Sequence, residues 1–167
     1  MSKGDLHTFH FSPSGLPDLA DLEKSRALMR ADWKIVTDVD IPYCAGNDVD
    51  GTTVYIDKDV PEFAEIAGRR VNIWDHVFDH EAQEKTILLR YGNEHYAGAH
   101  TMATYWEDAC VRAEGLSPKA YEQWWAPIIR KIGSRKVYER VPADLDLTPY
   151  EDSHDDLLIQ RMRFVKV

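Results

Sequence analysis

The amino-acid sequence predicts an α+β fold, with a small N-terminal β-sheet packed on three to four helices. Three observations point there. Between residues 33 and 60, short runs alternate apolar and polar residues and are bounded by turn signals. Between residues 73 and 133 the apolar period becomes helical. No repeat and no Gly/Ser-rich linker separates the two regions, so 1–167 reads as a single domain. A chain of 167 residues buries roughly 70% of its unfolded surface and needs no staples. With 44% hydrophobic and 29% charged residues it is not a disordered or low-complexity chain.

Residues 1–17 carry Gly4, Pro13, Gly15 and Pro17 and read as a loose arm. Pro17 to Arg30 has helical spacing at Leu19, Leu22, Ala27 and Leu28, with Asp18 as its cap. Asp32–Val39 and Thr52–Asp57 read as strands, with Asp50-Gly51 closing the turn before the second. Strand content is expected to stop at Pro61. A first central helix spans about Trp74–Tyr91 and stops at Gly92, and a second spans Asn93–Glu114 and stops at Gly115. Ser117-Pro118 is an N-cap followed by proline at the first helical position. The helix it opens runs to Gly133, and Pro127 is expected to kink or break it. The basic run from Arg135 to Val141 is a strand or an extended link. Residues 141–156 are acidic and Pro-bounded and are expected to lie extended on the surface. DLLIQRMRFV closes the chain as a short helix or strand.

Charge and cysteine usage exclude several classes. Twenty Lys and Arg against 29 Asp and Glu give a net charge of −9, so no overall field attracts a nucleic acid. Nothing approaches the 18 or so consecutive apolar residues of a membrane span, and the N-terminus lacks the apolar core of a signal peptide. Cys44 and Cys110 stand apart from any CxxC pair and read as reduced thiols of a cytoplasmic protein. The cluster Arg130, Lys131, Arg135 and Lys136 reads as a solvated face. The composition says nothing of oligomeric state.

Four of the seven histidines fall between 76 and 100. On a helix of 3.6 residues per turn, His76, His80, Glu81 and Glu84 share a face with Val77, Ile87, Leu88 and Tyr91. The opposite face holds Asp75, Asp79, Gln83, Thr86 and Arg90 and reads as the wet one. Ionisable groups on the apolar face are costly unless paired or metal-bound. The next helix repeats the conflict. His100 and Glu107 stack beside a stripe of small and apolar residues: Ala99, Ala103, Trp106, Cys110 and Ala113. That stripe lets another helix approach closely. A tight turn at Gly92 makes the two helices antiparallel and can bring His100 against His80 and Glu84. His7, His10, His95 and His154 carry no functional reading.

The spelling His80-Glu81-Ala82-Gln83-Glu84, then fifteen intervening residues and His100, resembles the zincin metallopeptidases. The resemblance implies a Zn²⁺ site in which His80, Glu84 and His100 are ligands and Glu81 is the general base. It implies that Glu107 holds His100 or substitutes as a ligand. Tyr91, Tyr96 and Tyr105 are candidate donors to the oxyanion, with nothing in the sequence choosing among them. The expected activity is zinc-dependent hydrolysis of a peptide or protein, with Thr52–Asp57 as the strand edging the cleft. Position 84 departs from the HExxH pattern, since it holds Glu rather than His. His76 and His80 with Asp79 imitate an inverted motif, so His76 is kept as a reserve ligand. The pattern IPYCAGNDVDGTTVYID…HEAQE…YAGAHTMATYWED is also similar to small uncharacterised proteins encoded by phages and prophages, which brings a possible association with a virion. The other reading is non-catalytic: a phage-encoded structural or interaction protein that keeps the helix pair as a core network.

Overall fold

The computed structural model describes residues 18–92 and 96–167. The proposed N-terminal arm and His7, His10 and His95 lie outside them. The fold is α+β. Helix α1 (Leu19–Asp32) starts at Asp18, whose carboxylate accepts from the Ala20 amide at 2.9 Å. Strands β1 (Lys34–Val39), β2 (Ala45–Asn47) and β3 (Thr53–Asp57) form a mixed sheet in the order β1-β3-β2. β1 runs parallel to β3, and β2 runs antiparallel to it. The β2–β3 turn is held by Asp48, whose carboxylate accepts from the Thr52 and Thr53 amides and the Thr52 hydroxyl.

Strand content does not stop at Pro61. β4 (Phe63–Ile66) and β5 (Arg69–Asn72) form a hairpin that runs directly into helix α2 (Ile73–Tyr91). The left-handed pair Ala67-Gly68 makes its turn, and Asn72 caps the helix by accepting from the Asp75 amide. Gly92 ends α2 at φ 90. Helix α3 (Tyr96–Ala113) packs along α2 through Ala99, Ala103 and Cys110, all buried, as the small-residue stripe predicts. Helix α4 (Pro118–Gly133) opens on Ser117 and passes through Pro127 unbroken. Strands β6 (Tyr138–Pro142) and β7 (Met162–Val165) pair in parallel.

The segment expected to lie extended over 141–156 turns inward. It forms α5 (Thr148–Asp152), buries Tyr150 and bridges Asp48 to Leu145. Short helix α6 (Asp156–Ile159) then leads to β7, so the C-terminal stretch is helix and strand in turn.

Two expectations about surface charge are corrected. Asp79 is not on a wet face: it is 3% exposed and bonded to Arg26 Nε at 2.8 Å. The cause is α1, which lies across that side of α2 and adds a second ion pair between Arg30 and Asp75. Arg135 is not part of a solvated basic face either. Its guanidinium is clamped by Asp40, Asp57 and Asp59, tying α4's exit to the sheet. The core lies between sheet and helices, with Val54 and Ile56 of β3 and Phe78 and Ala82 of α2 fully buried. Cys44 and Cys110 are buried free thiols. Among the described residues, no helix is long and apolar enough to cross a membrane.

Candidate metal centre

The spacing His80–Glu84 is one helical turn, so α2 projects both side chains from one side. α3 brings His100 to meet them. His100 Nδ1 lies 2.8 Å from Glu84 Oε2 and 3.2 Å from His80 Nε2, and His80 Nε2 lies 3.7 Å from Glu84 Oε2. A tetrahedral ion with bonds of about 2.0–2.2 Å separates its ligand atoms by about 3.3–3.6 Å. The three donor atoms therefore stand at metal-binding separations after shifts of about half an ångström. Glu84 is buried, whereas the His100 side chain is 51% exposed, so the trio closes toward the core and opens toward solvent.

A carboxylate of α3 orients the first histidine. Glu107 Oε2 receives the Nδ1–H of His80 at 2.9 Å. The expectation that Glu107 holds His100 is thus corrected. His80 is the residue one helix diameter away across the α2–α3 seam, whereas His100 shares Glu107's own helix and turns toward Glu84. With Nδ1–H given to Glu107, three lone-pair atoms converge: His80 Nε2, Glu84 Oε2 and one face of His100 Nδ1. Like partial charges at such spacing require a proton or a cation among them. Protons take that place in the metal-free protein. Burial opposes charge on His80, but its bonds to Glu107 and Glu84 outweigh burial and raise its pKa to about 10. Glu84 is likewise held below the usual carboxylate range. Burial works against this, but bonds from His100 and His80 prevail.

Glu81 sits beside the trio rather than in it. Its Oε2 accepts from Asn47 Nδ2 at 2.8 Å, and the same amide reaches the Glu81 carbonyl at 3.2 Å. Burial and the neighbouring Glu84 carboxylate raise its pKa to about 8. That suits a group which takes and returns a proton near neutral pH. Of the three tyrosines, Tyr91 and Tyr105 are exposed. Tyr96 stacks on His100 with ring centroids 5.8 Å apart, and burial together with Glu84 and Glu81 keeps its hydroxyl protonated.

His76 does not join the cluster. It is fully buried one turn earlier, where its Nε2 meets Glu114 at 3.1 Å beside the Arg26–Asp79 pair. The inverted register is disfavoured for the same reason, since Arg26 already holds Asp79. Thr53–Asp57 does not edge a cleft: β3 is the central strand. β2 is an edge strand of this sheet, and the Asp146 amide donates to the Asn47 carbonyl on its outer side. Sequence reasoning missed Asn47 and Tyr121, whose hydroxyl bonds Glu107. Asn47 lies in a run of turn residues and Tyr121 on a helix two elements away, so neither carries a spacing signal.

Comparison with protein-family models, curated proteins and solved structures finds no match to this chain. The candidate site of this α+β protein is a two-histidine, one-carboxylate cluster.

Proposed function

We propose that the chain is a zinc-dependent hydrolase acting on an amide carbonyl, most simply that of a peptide. The observation that supports this is the convergence of His80 Nε2, Glu84 Oε2 and His100 Nδ1 on one solvent-open point, with Glu81 beside it. One zinc ion held by these residues supplies Lewis acidity and a water acidified to near neutral pH. The protein's own groups do the rest. Asn47 aims the Glu81 carboxylate, which takes the proton of the attacking water and returns it to the leaving amine. Tyr96, the one tyrosine stacked on His100, is the neutral donor for the oxygen that gains charge. Because residues 144–147 already cover the outer side of β2, substrate reaches the site over α3 past His100 and Tyr96, not as an added strand.

Metal analysis of the purified protein beside Glu81→Gln tests the proposal, with a quenched fluorescent peptide library as substrate probe. The expected result is about one zinc per chain in both proteins and turnover in the wild type alone. Absence of bound metal at micromolar free zinc overturns it. One observation favours a second, non-catalytic reading: His80, Glu84, His100 and Glu107 already hydrogen-bond to one another. Zinc-free protein of unchanged thermal stability, with no turnover, is the result that reading expects.

A further inference from the structure

We infer that Tyr121, on α4, is a positioning residue for the His80 imidazole and acts through Glu107. The inference rests on the metal-site reading above. The Tyr121 hydroxyl donates to Glu107 Oε1 at 2.8 Å, and Glu107 Oε2 receives His80 Nδ1–H at 2.9 Å. A glutamate side chain has several rotors, and a single bond to an imidazole leaves its carboxylate free to swing. Pinning one oxygen from a third helix fixes where the other points. An ionised carboxylate only accepts. Glu107 so placed selects the His80 form with a proton on Nδ1 and leaves Nε2 directed at Glu84 and His100.

The ring of Tyr121 is also located by packing. It packs edge-on against His76 at 5.4 Å between centroids and against Trp125 at 6.2 Å. His76 is in turn bonded to Glu114, and Ser117 with Pro118 sets where α4 begins. Tyr121→Phe therefore removes the hydrogen bond to Glu107, together with the Trp125 contact to the same hydroxyl, and keeps the ring packing. A structural role alone predicts no change at His80. A positioning role predicts a change there that depends on Glu107.

The test measures zinc affinity by competition with a chromophoric chelator in the wild type, Tyr121→Phe, Glu107→Ala and the double variant. It also records the ring-nitrogen NMR shifts of His80 in the zinc-loaded proteins, where Nε2 holds the metal and Nδ1 the proton. Tyr121→Phe is expected to weaken zinc binding about 10–100-fold, as loss of a group that orients a ligand does. Glu107→Ala weakens it at least as much, and adding Tyr121→Phe to Glu107→Ala changes nothing further. The His80 nitrogens report one form in the wild type and a mixture in Tyr121→Phe. Wild-type affinity in Tyr121→Phe overturns the inference and leaves the metal site standing. Independent, additive losses in the double variant overturn the route through Glu107. Failure of the wild type itself to bind zinc overturns the metal-site reading and this inference with it.

Discussion

Buried ionisable side chains are numerous for a chain this size, and their partners decide what each does. Lys85 on α2 is 2% exposed and bonds Asp146 at 2.6 Å. Asp146 also accepts from the Thr148 amide, so one carboxylate ties the C-terminal segment to α2 and starts α5. Removing one member of such a pair strands the other in the core. Lys85→Met is expected to lower unfolding free energy by about 3–5 kcal/mol, measured by urea denaturation, and Asp146→Asn in that background recovers part of the loss. Glu114 is expected to govern acid sensitivity. Burial opposes its charge, but His76 and Arg26 outweigh burial and hold its pKa at about 2, below the ordinary value of 4.5. A depressed carboxylate stabilises the fold above its unfolded pKa, and that contribution fades as pH falls from about 4.5 toward 2. Glu114→Gln should flatten the stability curve in that window by on the order of 2 kcal/mol. His80, Glu84 and His100 were legible in the sequence because ionisable groups at helical spacing on an apolar face are anomalous. His76, on the same face, shows the limit of that reasoning: its partner Glu114 lies thirty-eight residues on, and no local pattern reveals it.

Helices announce themselves more clearly than the short strands do. Asp18, Gly92, Ser117 and Pro118 each stand where a terminus requires them, and α1, α2 and α4 begin or end there. β4 and β5 escaped notice because Arg69, Arg70 and Glu65 interrupt any alternation, and a two-stranded hairpin exposed on one side needs little apolar patterning. α5 was hidden by its acidity, since a single buried Tyr150 anchors it. Pro127 leaves α4 unbroken, so a proline in a helical pattern marks a lost hydrogen bond rather than an end. The turn before β3 joins sheet to helix at close range. Gly51 has φ 72, and a Cβ there would lie 2.7 Å from Leu89 Cδ1 and 3.0 Å from Lys85 Cγ. Gly51→Ala combines backbone strain with a clash against α2 and is expected to cost about 1–3 kcal/mol, read as a lowered thermal midpoint.

At the scale of the molecule, the candidate site is assembled from strand β2 and three consecutive helices. β2 supplies Asn47, α2 supplies His80, Glu81 and Glu84, α3 supplies His100 and Glu107, and α4 supplies Tyr121. A ligand bound only by the folded state stabilises all of it together. Zinc at one hundred times its dissociation constant contributes about 2.7 kcal/mol, which for a chain of this length is a rise of about 5–11 °C in thermal midpoint. Calorimetry with and without chelator measures it, and Glu84→Ala is expected to abolish the rise. The acidic segment near Asp144 also has a consequence in time. β2 leaves the ribosome about a hundred residues before the stretch that covers its outer side. At about 5–20 residues per second, that strand waits roughly 5–20 s with a free backbone edge. During synthesis, then, β2 waits with its outer backbone groups unpaired, and in the finished protein residues 144–146 pair with them.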